Sequence, residues 1–190
     1  TCAIANDRTV LIIADNSTVS VPIMISIDNG VTFQNAGIFV YFYGAKSVAI
    51  FDSSNYAVYG VLSTGLGDHS GNPLLLRVHN SAGWHDVTLG NLTISRMIYD
   101  DADNMFLLCA DGTISYKLYK LTVSTQVLTL LYTEAYVAQN IGGMTIIDEM
   151  IFISMTRQVR ILSKNGTLIN DALVVADSLN IFPSVVPKNF

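Results

Sequence analysis

One feature restricts the fold of this chain more than any other: it repeats itself. Four segments share one plan, an apolar stretch, an Asp in a short turn, then a stronger apolar stretch. They span residues 3–13, 48–59, 96–108 and 144–153, and their turn aspartates, Asp7, Asp52, Asp100 and Asp148, are spaced 45, 48 and 48 residues apart. A unit of that length cannot bury its apolar face alone, so each must pack against its neighbours. The period is that of a four-stranded propeller blade, about 40–50 residues.

Composition names the kind of element inside each unit. Of the 15 acidic residues, all but Glu134 and Glu149 are Asp. Asp favours turns and caps, whereas Glu favours helix interiors. With many Val, Ile, Thr, Tyr and Phe, that bias points to strands joined by turns. Continuous apolar runs, such as residues 10–13 and 151–153, suit strands buried on both faces. The expectation is therefore an all-β chain, a propeller-like array of about four four-stranded antiparallel blades, with a β-sandwich as the alternative. One domain, 1–190, divides into units of about 1–37, 38–90, 91–138 and 139–172, with a closing tail at 173–190. In the third unit, strands are expected at 93–99, 104–110, 113–122 and 126–132. In the fourth they fall near 144–147, 150–156, 159–163 and 167–169. Residues 65–72 read as an insertion, and the run 38–43 as a connection or an extra strand.

Other classes are excluded. Apolar residues make up 51% of the chain and charged residues 13%, so disorder is ruled out. A net charge of −5, from Lys+Arg 10 against Asp+Glu 15, speaks against a nucleic-acid partner. The longest nearly uncharged apolar run, 36–45, is half of what a spanning helix needs, about 20 residues, so membrane insertion is not expected. Cys2 and Cys109 are too few for a disulfide framework and read as unpaired, buried thiols, with a single bridge as the alternative. The opening Thr1, where an initiator Met would stand, fits a processed product or a piece of a longer chain.

The segment Ser26-Ile27-Asp28-Asn29-Gly30-Val31-Thr32-Phe33 resembles the Asp box of sialidase-like β-propellers, Ser/Thr-x-Asp-x-Gly-x-Thr-Trp/Phe, at all five defining positions. The resemblance implies the turn between the third and fourth strands of a blade. Asp28 would accept bonds from turn amides, Gly30 would take a left-handed conformation and Phe33 would plug the packing. Degraded versions stand at residues 80–84, ending in Trp84, and at 163–168, where Asn165 replaces the Asp. The third unit has none.

The box is structural and implies no catalysis. Hydrolysis of the sialidase kind needs an arginine cluster, a Tyr–Glu nucleophile pair and an Asp acid/base. Arg77, Arg96 and Arg157 are the residues such a site would have to gather, and neither Glu stands in a catalytic context. No catalytic residue is assigned, and no cofactor is expected, for no phosphate loop or dinucleotide fingerprint occurs. Asp101 and Asp103 alternate as in part of a calcium loop but lack its downstream Gly and Glu; the bland reading is a solvated turn, and no metal site is assigned. Trp84, His85 and Tyr43 are the candidate binding residues, for a sugar or a protein partner, against the plainer reading that they pack. So little charge leaves a surface expected to be covered, by protein partners or by self-association, and a glycan is a further possible ligand. The function expected is a non-catalytic binding or assembly module, a structural or receptor-recognition part of a large extracellular or viral (phage) assembly, located outside the cell or in the virion. The alternatives are a sialidase-like glycoside hydrolase and a glycan-binding lectin.

Overall fold

The computed structural model describes residues 2–13, 20–41, 47–63, 74–111, 115–135, 141–155 and 158–174. Strands account for 71% of it, in three antiparallel sheets, none a closed barrel. Among the described residues there is no helix, and hence none long and apolar enough to cross a membrane. The insertion at 65–72 lies outside the described residues, as does Gly112 of the expected Asp111–Gly112 turn.

Sixteen strands are described, and they follow one another as antiparallel meanders. Contacts divide the chain into two compact units, Thr1–Gly90 and Asn91–Phe190. In the first, β1 (Cys2–Ile4), β2 (Val10–Ile13), β3 (Ser20–Ser26) and β4 (Gln34–Tyr41) pair in chain order. So do β5 (Ser47–Ile50), β6 (Tyr56–Ser63), β7 (Leu74–Asn80) and β8 (Gly83–Val87). A short bridge, Phe39↔Ser63 and Val40↔Leu62, pairs β4 with β6 and joins both meanders into one eight-stranded sheet. In the second unit β9 (Thr93–Tyr99), β10 (Asn104–Asp111), β11 (Ser115–Thr122) and β12 (Val127–Ala135) form one sheet. A separate sheet holds β13 (Ile141–Ile147), β14 (Met150–Met155), β15 (Gln158–Ser163) and β16 (Leu168–Val174). The eight strands of this unit begin within three residues of where the sequence places them. The run 38–43 is neither a connection nor a separate strand, for as far as Tyr41 it is the second half of β4.

Each unit has its own core, and each core lies between consecutive meanders. In the first unit Leu11, Ile23, Ile25, Ile38 and Val40 of one meander meet Val48, Tyr56, Val58 and Leu62 of the next. In the second, Phe106, Leu108, Tyr116 and Leu118 meet Met144, Ile151, Ile153, Met155 and Leu162. Residues 105–109 of β10 are buried without a break, which is why that run does not alternate with polar residues. Each such aliphatic or aromatic side chain contributes about 1.5–3 kcal/mol on leaving water.

The structure corrects the register of the repeat. Asp52 Oδ1 accepts the N–H groups of Ser54 and Asn55, at 2.7 and 2.8 Å, and the Asn55 amide. In the third meander those roles belong to Asp101, which accepts from Asp103 N–H, Asn104 N–H and the Asn104 amide. The equivalent of Asp52 is thus Asp101, and Asp100 takes the place of Phe51, with Phe51 N–H and Asp100 N–H each donating to the Asn carbonyl that closes the turn. Cys2 and Cys109 are both free thiols, but only Cys109 is buried; Cys2 is exposed. Burial pushes the Cys109 thiol up to about 12, so it stays protonated and inert.

Candidate functional site

The most fully built local site is the turn between β3 and β4. Ser26 Oγ donates to Asp28 Oδ1 at 2.7 Å, and Gly30 N–H donates back to Ser26 Oγ at 2.9 Å. Thr32 gives Asp28 two more bonds, from its N–H at 2.8 Å and from Oγ1 at 2.5 Å. Asn29 and Gly30 both have positive φ, 62° and 82°, the conformation this tight reversal demands. The Thr32 hydroxyl, then the Thr32 amide and the Ser26 hydroxyl, hold the Asp28 carboxyl down to about 2. Every polar position of the motif is engaged within the turn itself. Phe33 departs from expectation: it is 39% exposed, and its ring edge lies 3.9 Å from where a Cβ on Gly30 would stand. It covers the turn and does not plug a buried interface.

The fourth meander builds the same turn from the degraded copy. Ser163 Oγ donates to Asn165 Oδ1, and Thr167 sends its N–H to Ser163 Oγ at 3.0 Å and its Oγ1 to Asn165 Oδ1 at 3.0 Å. The third meander, which has no such motif, borrows an anchor. Asp103, in the turn before β10, accepts from Ser124 N–H at 2.7 Å and from Ser124 Oγ at 3.0 Å, fixing the turn between β11 and β12. Asp101 and Asp103 are therefore both committed to turn amides and hydroxyls. Among the described residues no group of three or more His, Cys, Asp or Glu is placed to hold a metal ion.

The candidate binding residues are placed differently from one another. Trp84, on β8, is half-buried; its Nε1 donates to the Ala36 carbonyl of β4 at 3.1 Å. Its ring meets Tyr56 and His79 edge-on, at 5.2 and 5.1 Å between centroids, while Tyr56 and His79 stack at 4.5 Å. His79 Nδ1 lies 2.8 Å from the Ser54 carbonyl, which fixes that ring too. Trp84 thus fastens the second meander to the first. His85 Nε2 lies 3.1 Å from Asn80 Oδ1 within the same hairpin. Tyr43 lies outside the described residues.

Charged groups are likewise paired locally. Arg77 and Asp86 face each other across β7 and β8 at 2.5 Å. Arg96 donates to the Gly142 carbonyl at 2.8 Å, tying β9 to β13. Arg157 lies outside the described residues. The arrangement the sequence did not disclose is around Glu134. Arg160 Nε, on β15, meets Glu134 Oε2 at 3.0 Å, and the Tyr132 hydroxyl donates to the same oxygen at 2.6 Å. Burial alone would raise the Glu134 carboxyl, but these two donors outweigh it and hold it below the usual range. Glu134 and Arg160 stand 26 residues apart on different meanders, and no linear spacing signals their pairing. Lys164 similarly bridges Asp100 at 2.7 Å and Glu149 at 3.2 Å.

No protein-family model matches the chain, and no curated protein is significantly similar to it. Among solved structures it is similar to the dipeptidyl peptidase 4 of Porphyromonas gingivalis, with a TM-score of 0.60 at 12% identity. That match covers 93% of this chain and 32% of the peptidase chain, so this chain spans about a third of that protein's length. The computationally designed Ika4 protein gives a TM-score of 0.48 at 11% identity, over 70% of this chain and 74% of its own. The apo AztD of Citrobacter koseri gives 0.47 at 11% identity, over 92% of this chain and 47% of its own. At such identities the peptidase match concerns the fold alone, and the other two carry no argument.

Proposed function

We propose that this chain is a non-catalytic binding or assembly module, built as a propeller-like array of four four-stranded blades of the Asp-box kind. The blade reading draws support from the four successive meanders, the cores between consecutive meanders, and the boxed turn between third and fourth strands. Only the two-pair bridge between β4 and β6 departs from separate blades. The functional reading rests on one observation: the polar side chains a catalytic site would recruit are spent on structure. Asp28, Asp101 and Asp103 hold turns, Arg77 pairs with Asp86, Arg96 holds a carbonyl of β13, and Glu134 pairs with Arg160. A protein partner or a second copy fits so lightly charged a chain, and an extracellular or virion assembly is the setting we attach to it. A panel of fluorogenic glycosides, assayed from acid to alkaline pH, tests the reading. No turnover is expected; turnover abolished by Glu134→Gln would overturn it in favour of a glycoside hydrolase.

A further inference from the structure

One sheet face of the first meander repeats, position for position, a face that the second meander buries. In β5–β6 the pair flanking the turn is Ile50↔Tyr56, followed by Val48↔Val58. Tyr56 and Val58, 4% and 0% exposed, seat the second meander on the first. In β1–β2 the corresponding pairs are Ile4↔Val10 and Cys2↔Ile12. Val10 and Ile12 therefore hold the positions of Tyr56 and Val58, and Ile12 continues across the sheet to Met24. Yet Ile4 is 46% exposed, Cys2 is exposed, and Val10, Ile12 and Met24 are only half-buried. The opposite face of the same strands, with Leu11, Ile23 and Ile25, is fully engaged in the core.

The fourth meander presents the reciprocal face. Its residues Ile151, Ile153 and Leu162 point into the core shared with the third meander. Met150, Phe152 and Ile161, which alternate with them and are joined by the pairing Phe152↔Ile161, lie on the other side and are half-buried. Within each unit, then, a meander covers the trailing face of its predecessor with its own leading face. We infer that a second copy of this chain docks on the leading face of the first meander, bringing the trailing face of its own fourth meander. The occupant follows from continuity with the interface already built twice inside the chain: the only surface known to fit such a leading face is a trailing face of the same kind. The contact is head-to-tail, so it leaves one face open on each end of a pair and extends or closes into a ring. This inference rests on the assembly reading above, but it fails separately, since that reading is overturned by turnover and this one by association behaviour.

Sedimentation velocity on the full chain across a concentration series, beside the variants Ile4→Lys and Leu130→Lys, decides it. Ile4 and Leu130 are both exposed, 46% and 49%, so neither Lys should disturb folding, which circular dichroism verifies. Wild type should associate as concentration rises. Ile4→Lys should weaken self-association at least tenfold yet still join one wild-type copy through its intact trailing face, while Leu130→Lys, on β12, should behave as wild type. Cys2 should lose maleimide reactivity in the associated fraction. A wild-type monomer at every concentration overturns the inference; so does association that Ile4→Lys leaves unchanged, or an Ile4→Lys chain that forms no mixed pair with wild type.

Discussion

Asp28 shows how much of a turn one side chain can organise. Its carboxylate takes bonds from Ser26 and from both donors of Thr32, and its acidity is held near 2 as a result. A group whose folded pKa is depressed stabilises the fold above its unfolded pKa and ceases to do so as pH falls through the folded value. The unfolding midpoint of wild type should therefore exceed that of Asp28→Asn at pH 7, with the gap closing between about pH 4 and pH 2; a thermal melt series at intervals of half a pH unit checks it. A gap that persists at pH 2 would mean that Asp28 acts through shape and not charge. The motif was legible in the sequence because all its partners lie within six residues of one another. Phe33 was not, because whether an aromatic at a turn is covered depends on what packs above it. The register of the repeat failed at Asp100 for a similar reason: adjacent Asp100 and Asp101 look alike in sequence, and only the amides they accept tell them apart.

Between elements, the meanders are fastened by contacts that differ from pair to pair while serving one purpose. Trp84 bonds to the Ala36 carbonyl, Arg160 reaches Glu134, Arg96 reaches Gly142, and Lys164 reaches Asp100. The turn between β15 and β16 adds a steric seat. Gly166 has φ +87°, and a Cβ there would stand 2.4 Å from the Leu131 carbonyl oxygen of β12. Gly30, in the matching turn of the first meander, has φ +82° but only the Phe33 ring edge nearby, at 3.9 Å. Gly30→Ala should then cost only the left-handed strain, about 1–2 kcal/mol. Gly166→Ala must in addition push the turn off β12, and it should cost clearly more, about 3 kcal/mol or above. Urea denaturation of the two variants measures the difference, and equal losses would show that the seat on β12 contributes nothing. Strands were readable because apolar runs and turn residues are local signals; the second unit's elements fall close to their expected places. What joins them was not, since Glu134 and Arg160, or Trp84 and Ala36, meet only after each meander has folded.

At the scale of the whole chain, 13% charge against 51% apolar residues becomes an architectural quantity. Sheets apolar on both faces need neighbours on both faces, and the charge that remains is mostly turn Asp and interstrand pairs. The two units answer that need with separate cores, one built on Leu11, Ile23 and Val58 and the other on Phe106, Leu108 and Ile153. A core substitution tests whether these cores are separate in energy as well as in contacts. Leu108, fully buried, touches only the second unit's cluster, and Leu108→Ala should cost about 2–5 kcal/mol. If each unit opens as its own cooperative body, hydrogen exchange followed by mass spectrometry should show β9 to β16 losing protection while β2, β3 and β6 keep theirs. Because amide protection is capped by the weakest opening that exposes it, a loss spread evenly over all sixteen strands would require a single cooperative body. In that case stability would be shared along the whole array, as expected when repeats are coupled strongly to their neighbours.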